Sequence, residues 1–265
     1  MGRIQTTFEK LRAQKKKALI SYIMAGDPDL PTTEALISTI EQAGGDILEL
    51  GVPFSDPLAD GPAIQRASER ALKSGTTLRK VMALVKRLRK EDSSIPIIVM
   101  TYYNIIFQYG LDRFSKDAIS SGIDGVIIPD LPPEEASEFI SQSRTSGLDT
   151  IFLLAPTSTE DRIKTIVSSA TGFIYYVSMT GITGARLNNV LEIKGKVSEI
   201  RGYTDLPIAV GFGISREDEA NKIAKWADGV IIGSTLVKLI EANRGKRLLL
   251  PRVTKFIRSM KEAVG

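Results

Sequence analysis

One carboxylate stands inside an otherwise apolar segment of this chain. The segment Ile47–Gly51 reads Ile-Leu-Glu-Leu-Gly, and the side chains of a strand alternate between its two faces. Glu49 therefore shares a face with Ile47, whereas Leu48 and Leu50 share the other. Removal from water raises the pKa of a carboxyl group, which suits a group that both donates and accepts a proton near neutral pH. The alternative is a structural glutamate that is tied to a nearby Lys or Arg.

Two further acids, Asp56 and Asp60, lie on the proline-rich loop that follows. Asp60 precedes Gly61-Pro62, so it is either a second carboxylate of the site or the N-cap of a helix that begins at Pro62. Asp56 precedes a proline and is either a turn residue or a residue of loop closure or partner contact. Acid–base chemistry falls to Asp, Glu, Lys or Tyr, because the chain contains no histidine and no cysteine.

Glycine-rich turns indicate a phosphate site. The turns at 210–215 and 232–235 each follow an apolar run, and a third turn, 181–184, contributes a further amide and the hydroxyl of Thr183. Glycine lets backbone N–H groups approach an anion, and a helix N-terminus attracts one. The alternative to a phosphate site is that these glycines only allow the chain to turn.

Eight short apolar runs alternate with segments of helical period, which predicts eight β-then-α units and a parallel sheet. Such a chain, at 265 residues, is typical of a single (β/α)8 TIM barrel over 1–265, with extra N-terminal and loop helices. Its active site would lie at the carboxyl ends of the strands, with phosphate at the last two loops. A doubly wound open sheet is the alternative, although no glycine fingerprint follows the first strand.

The predicted strands are Leu19–Met24, Ile47–Leu50, Ile97–Thr101, Gly125–Ile128, Thr150–Leu154, Phe173–Val177, Ile208–Val210 and Gly229–Ile232. The predicted helices are Thr32–Ala43, Pro62–Lys73, Leu78–Lys90, Leu111–Ser120, Pro133–Ser146, Thr159–Ser169, Val190–Ile200 and Arg216–Lys225, and a last helical stretch runs from about Ser234 to Ala263. The longest loops, 51–61 and 178–189, have the composition of mobile lids.

Composition excludes several classes of protein. At 43% hydrophobic and 25% charged residues the chain is ordinary for a globular protein, so a sizeable core is expected. No apolar run is long enough to span a membrane, and the N-terminus lacks the apolar segment of a secretory signal, so we expect a cytoplasmic protein. The net charge of +4 comes from dispersed basic residues without interleaved aromatics, so no nucleic-acid partner is expected.

Apolar and aromatic residues at the strand ends predict a hydrophobic slot beside the two acids, although core packing is the alternative for each. These residues are Tyr22, Met100, Tyr102, Leu153, Tyr175, Phe212 and Ile232.

Taken together, the motifs resemble the tryptophan synthase α subunit family. The similarity covers almost the whole chain, in order and at matching spacing, and its first motif is highly specific. The segments are LELGVPFSDPLADGPAIQ (Leu48–Gln65), TYYN (Thr101–Asn104), PDLP (Pro129–Pro132), TGITGA (Thr180–Ala185), GFGI (Gly211–Ile214) and IGS (Ile232–Ser234).

The resemblance implies retro-aldol cleavage of indole-3-glycerol phosphate to indole and glyceraldehyde 3-phosphate, without a metal or an organic cofactor. Glu49 matches the family's proton-shuttling acid/base and Asp60 the carboxylate that binds the indole N–H. Tyr175 matches an active-site tyrosine, and Thr183 the residue that orients Asp60 on loop closure. The resemblance places the phosphate at Gly184, Gly213, Gly233 and Ser234.

The resemblance also implies a partner, the pyridoxal-phosphate-dependent β subunit of tryptophan synthase, in an α2β2 heterotetramer. Pro53, Asp56, Asn104 and Pro132 fall in the segments that face it. Two other functions remain open from the residues alone: another phosphate-binding barrel enzyme, such as a phosphosugar isomerase or an indole-forming synthase, and a binding or regulatory subunit without catalysis.

Overall fold

The computed structural model describes residues 2–178, 186–211 and 213–265. Its strands are β1 (Ala18–Met24), β2 (Ile47–Gly51), β3 (Ile97–Met100), β4 (Gly125–Ile127), β5 (Asp149–Ile151), β6 (Leu153–Leu154), β7 (Ile174–Val177), β8 (Ile208–Gly211) and β9 (Gly229–Ile232). Its helices are α1 (Arg3–Ala13), α2 (Leu30–Gln42), α3 (Pro62–Lys73), α4 (Leu78–Lys90), α5 (Tyr103–Tyr109), α6 (Leu111–Ser121), α7 (Ser137–Ser146), α8 (Glu160–Ser169), α9 (Arg186–Arg201), α10 (Glu217–Ala224), α11 (Ser234–Asn243) and α12 (Leu249–Val264).

The strands form one parallel sheet in the order β5-β4-β3-β2-β1-β9-β8-β7-β6. Its two end strands, β5 and β6, are separated in the chain only by Phe152, so they are two parts of one barrel strand. Each of the eight barrel strands is called a stave below. The sheet therefore closes into a barrel of eight staves, as the sequence predicts, with helices on the outside. No helix in the described ranges is long and apolar enough to cross a membrane.

Side-chain alternation divides the apolar residues into an inner and an outer set. The lower interior of the barrel is filled by one residue from each stave: Ile20, Ile47, Ile98, Ile127, Ile151, Phe173, Ala209 and Ile231. The intervening strand residues, Leu48 and Leu50 among them, pack outward against the helices in a larger cluster. The alternation inferred for β2 is therefore confirmed, and Glu49 continues the inner set above Ile47.

Helix α1 closes the bottom of the barrel. Ile4, Phe8 and Leu11 are buried and belong to the same cluster as the inner strand residues. The ring of Phe8 lies 5.8 Å from that of Phe173, which lies at the start of the sixth stave. Because this end is plugged by apolar side chains, a ligand has access to the interior only from the opposite end, where the strands terminate.

Several boundaries differ from the sequence prediction for local reasons. The predicted strand Thr150–Leu154 is interrupted at Phe152, and the predicted helix Pro133–Ser146 begins only at Ser137, after turns that contain two prolines. Helix α9 begins at Arg186, so part of the expected loop 178–189 is helical. The C-terminal stretch breaks between Asn243 and Leu249, where Gly245 has a φ of 68°.

Candidate active site

A cavity of about 760 Å³ opens at the carboxyl ends of the strands. Glu49 and Asp60 lie on its wall together with Tyr22 and Tyr175. Gly213, Gly233 and Ser234 also line it. The two acids, the aromatic residues and the glycine turns that the sequence singled out are therefore brought together around one space.

Glu49 reaches this cavity from the middle of β2. Its register partners are Tyr22 on β1 and Ile98 on β3, and only 2% of its surface is exposed. Burial raises the pKa of its carboxyl group to about 8, and the charge of Asp60 contributes in the same direction. No Lys or Arg among the described residues forms an ion pair with it, so the structural alternative of a paired glutamate is not supported.

Asp60 is held by a loop that is anchored at two points. The hydroxyl of Ser68 on α3 accepts a hydrogen bond from the amide of Phe54 and donates one to its carbonyl, at 2.9 and 2.8 Å. The amide of Ala59 donates to the hydroxyl of Tyr102 at 3.0 Å, and the ring of Tyr102 stacks on that of Phe54 at 5.1 Å. These contacts set the height of Asp60 above the end of β3.

The helix-cap interpretation of Asp60 is wrong. Gly61 is the N-cap of α3, and no side chain caps that helix. The carboxyl group of Asp60 is therefore available to the cavity. Burial raises its pKa to about 6, while the Tyr102 hydroxyl beside it favours the charged form and limits the rise. Glu49 and Asp60 thus titrate in different ranges, Glu49 above neutrality and Asp60 below it.

Glycine at two strand positions leaves room for the rings of Tyr22 and Tyr175. A Cβ atom at Gly51 would lie 2.3 Å from the hydroxyl oxygen of Tyr22, and one at Gly211 would lie 2.6 Å from that of Tyr175. Both glycines occupy inner positions of their strands, two residues after Glu49 and Ala209 respectively. Burial raises the pKa of both tyrosines well above the ordinary value, so they remain neutral hydroxyl groups beside the acids.

The end of the cavity at which the sequence predicts phosphate binding is formed by the loop after β8 and the start of α11. Gly213 has a φ of 80°, a conformation that favours glycine, and Gly233 is the N-cap of α11. The hydroxyl of Thr235 donates to the carbonyl of Ile214 at 3.4 Å and so connects the two segments. Backbone N–H groups at the start of α11 are left without helical partners and can bind an anion.

Comparison with known proteins decides the family. The family model for the tryptophan synthase alpha chain matches residues 8–265. The chain is 53% identical over 264 residues to the tryptophan synthase alpha chain of Geotalea uraniireducens, covering 100% of this chain and 98% of that protein. It is 50% identical to that of Geobacter sulfurreducens, with complete coverage of both.

The chain belongs to the tryptophan synthase alpha chain family.

The fold agrees with this assignment. The crystal structure of tryptophan synthase subunit alpha from Legionella pneumophila has a TM-score of 0.92 to this chain at 41% identity, covering 100% of this chain and 98% of that one. The family carries out the α reaction of tryptophan biosynthesis, which makes the chain a lyase, and it works with a β subunit.

Within this tryptophan synthase alpha fold, most of the predicted slot residues lie where the sequence places them. Tyr22, Met100 and Leu153 line the cavity, and Tyr102 lies behind Asp60. Ile232 is an exception, because it is fully buried in the outer cluster and packs against the helices. Ile231 faces the cavity instead, since neighbouring strand residues point to opposite sides.

Three predicted residues, Thr183, Gly184 and Phe212, lie outside the described residues. The structure also adds cavity residues that the sequence analysis missed. Ile64, Ile127, Pro129 and Val177 extend the apolar wall, and two cations, Arg66 and Lys238, stand at its rim. Ile127, Pro129 and Val177 could have been found by continuing the strand alternation toward the carboxyl ends, and Lys238 by counting one helical turn from Ser234. Ile64 lies on α3, so strand alternation does not predict it.

The residues expected to face a partner lie in the segments that follow β2, β3 and β4, with Asn104 on α5. Asp56 and Asn104 are exposed, Pro132 is half-buried and Pro53 is buried. Two large apolar side chains in the same segments are also exposed, Leu58 at 94% and, on α5, Phe107 at 60%. Large exposed apolar side chains are typical of an interaction surface. Neither residue is among those that the sequence analysis assigns to a partner.

The raised pKa of Glu49 predicts a pH-dependent cost to stability. Between the ordinary value of 4.5 and about 8 the unfolded chain loses this proton while the folded chain keeps it, so stability falls as pH rises. Glu49→Gln cannot ionise, so its melting temperature should exceed that of the wild type by roughly 5 °C at pH 8.5 and by little at pH 4.5. Thermal denaturation across this range measures the difference. The Glu262→Gln variant, at an exposed position, is the control. If the difference in melting temperature between Glu49→Gln and the wild type became smaller toward alkaline pH, the burial of Glu49 would not be the cause of its raised pKa.

The close approach of Tyr22 to Gly51 predicts that a methyl group is not tolerated there. Gly51→Ala should lower stability by about 1–3 kcal/mol through overpacking, and should reduce kcat/KM for indole release at least about tenfold as Tyr22 is pushed toward Glu49. Gly195→Ala is the matched control, since a Cβ atom there meets nothing within 4 Å and alanine favours the helix. A Gly51→Ala variant with the melting temperature and activity of the wild type would show that Tyr22 moves freely.

Proposed function

We propose that Glu49 and Asp60 carry out the cleavage of indole-3-glycerol phosphate to indole and glyceraldehyde 3-phosphate, as proton shuttle and electrostatic stabiliser. The observation that supports these roles is one cavity that holds two carboxyl groups of unequal pKa, about 8 and about 6, and that ends at glycine-rich anion loops. At neutral pH the first is mostly protonated and the second mostly ionised. An acid and an anion are what this reaction needs.

The proton of Glu49 serves the first step. Transfer of this proton to C3 of the indole ring converts the ring to a cationic indolenine. The Glu49 carboxylate then accepts the proton of the hydroxyl on the adjoining glycerol carbon. As that hydroxyl becomes the aldehyde carbonyl, the bond between this carbon and C3 breaks, and its electron pair returns to the ring. Glu49 ends the cycle protonated, so one carboxyl group acts as acid and then as base.

Asp60 acts on the charge that the first step creates. The positive charge of the indolenine is centred on the ring N–H, and an ionised carboxylate that accepts this hydrogen bond stabilises it. The anchored loop holds Asp60 in place before the substrate binds, so little reorganisation is required at that moment. Tyr175 and Tyr22 complete the polar surround of the acids, and Met100 and Leu153 provide apolar surface for the ring.

The phosphate group is assigned to the other end of the cavity. Gly213, Gly233 and Ser234 offer backbone amides and a hydroxyl, and Gly184, beyond the described residues, is proposed to join them. Thr183 is likewise proposed to orient Asp60 when the loop closes. The substrate then spans the cavity with its ring near the acids and its phosphate on α11.

Replacement of the shuttle tests the proposal most directly. Glu49→Gln keeps the shape of the side chain but can neither donate nor accept the proton, so kcat for indole release should fall by roughly 10³-fold or more. Inhibition by glycerol 3-phosphate should change by less than about twofold, because the phosphate end is intact. Glu262→Gln should retain full activity. Substantial turnover by Glu49→Gln would remove Glu49 from the chemistry.

The two pKa values predict a bell-shaped pH dependence of kcat/KM, which reports on the free enzyme. Activity should fall below about pH 6 as Asp60 is protonated and above about pH 8 as Glu49 loses its proton. Measurement of kcat/KM for indole release from pH 5 to 9 tests both the acidic and the alkaline decline in activity. Glycerol 3-phosphate inhibition over the same range identifies any contribution from the substrate's own phosphate ionisation. A rate that stays constant to pH 9 would contradict the role of protonated Glu49.

The exposed apolar surface supports the partner that the family implies. Leu58 and Phe107 protrude next to Asp56 and Asn104, at the rim of the cavity from which indole is released. We propose that the β subunit, with its own pyridoxal phosphate, covers this surface in an α2β2 heterotetramer. Loops that carry Asp60 would then contact the partner directly, which offers a physical route for one subunit to influence the other.

A further inference from the structure

Lys238 lies one helical turn beyond the proposed phosphate site. It is the fifth residue of α11, and Ser234 is the first. Residues four apart lie on the same helix face, and the Cα–Cβ bonds of a helix tilt toward its N-terminus. The Lys238 side chain therefore extends back toward the turn that begins at Ser234. Both residues line the same cavity.

The acidic residue best placed to neutralise Lys238 is already engaged. Glu241 lies three residues further along the same face, but it accepts hydrogen bonds from Arg66 at 2.9 Å and from Arg70 at 2.8 Å. Arg70 is itself held by two hydrogen bonds of 2.7 Å to the buried Asp27. The hydrogen bonds from Arg66 and the charges of both arginines lower the pKa of Glu241 to about 2. Its lone pairs are directed at the two guanidinium groups.

A cation near Gly233 and Ser234 would balance the charge of a bound phosphate. A phosphate monoester carries a charge of about −1.5 to −2 at neutral pH, whereas a helix N-terminus is equivalent to only about +0.5. The cavity already contains Glu49 and Asp60, and the charge of Arg66 is matched by Glu241. Within the described ranges Lys238 forms no ion pair, so its ammonium group is the cation that remains available to the ligand.

We infer that Lys238 is a phosphate-binding residue whose ammonium group pairs with the substrate phosphate held at Gly233 and Ser234. This role rests on the proposed function and extends it, because the glycine turns supply only amides and a hydroxyl. The arginine pair contributes indirectly by occupying Glu241, which would otherwise compete with the phosphate for Lys238. A lysine near the positive end of a helix is unfavourable by itself, and a bound dianion removes that penalty.

The reverse reaction separates the two ends of the cavity, because glyceraldehyde 3-phosphate carries the phosphate and indole is neutral. Lys238→Gln should raise KM for glyceraldehyde 3-phosphate and for indole-3-glycerol phosphate about tenfold, which corresponds to one charge-assisted hydrogen bond. The KM for indole should stay within about twofold of the wild-type value, and kcat should stay within about threefold of it. The KM for the phosphate substrates should also become less sensitive to salt than in the wild type.

Two comparison variants make the result specific. Lys238→Arg keeps the charge and should recover most of the wild-type KM. Lys225→Gln removes an equivalent exposed charge where α10 ends, at the opposite end of the barrel, and should change neither KM. Melting temperatures of all variants show whether the fold is retained.

Either of two outcomes would overturn the inference. One is a Lys238→Gln variant with wild-type KM for both phosphate substrates. The other is an equal rise in KM for indole and for glyceraldehyde 3-phosphate together with a lower melting temperature, which indicates a structural role. If instead the wild-type chain released no indole from indole-3-glycerol phosphate, the proposed function itself would be refuted. The two failures are therefore distinguishable.

Discussion

Burial of Glu49 inside the barrel is the constraint on which the rest of the site depends. The inner positions of the staves below it are apolar, from Ile47 on its own strand to Phe173 across the barrel. They offer no polar partner from below and, in the described part of the chain, no cation pairs with Glu49 to stabilise a charge there. A carboxyl group in such a place keeps its proton near neutral pH at a cost to stability. The same desolvation that weakens the fold would supply the acid of the proposed mechanism.

The second acid differs because its surroundings differ. Asp60 lies on a loop at the rim, where the Tyr102 hydroxyl and partial access to water keep it charged at a lower pH than Glu49. Two carboxyl groups in one cavity thus differ in pKa through their depth and through the hydrogen bond from Tyr102, and this difference underlies their separate proposed roles. The loop must be rigid for this to hold, and the Ser68 and Tyr102 contacts provide that rigidity from α3 and from the end of β3.

The sequence predicted what depends on local periodicity. The eight staves, the outward packing of Leu48 and the inward direction of Glu49 follow from alternation in strands with clear neighbours. Alternation does not say which face of the uniformly apolar segment Gly229–Ile232 is inward, so Ile232 was placed in the cavity wrongly. The cap role considered for Asp60 failed because Gly61 already begins the helix. Lys238 was missed although the predicted start of the helix at Ser234 is correct, because the sequence does not distinguish a lysine that lines the cavity from the other exposed helical lysines.

The ion-pair network on the cavity rim connects the two ends of the site. Asp27 on the loop after β1 binds Arg70 on α3, Arg70 binds Glu241 on α11, and Glu241 returns to α3 through Arg66. Helix α3 begins just after Asp60, and α11 begins at the proposed phosphate loop. Hydrogen-bonded charges that cross between these helices restrict their separation. The distance between the proposed indole end and the proposed phosphate end is therefore set by the scaffold, and in the proposed mechanism a substrate that fits both ends brings its reacting carbon to Glu49.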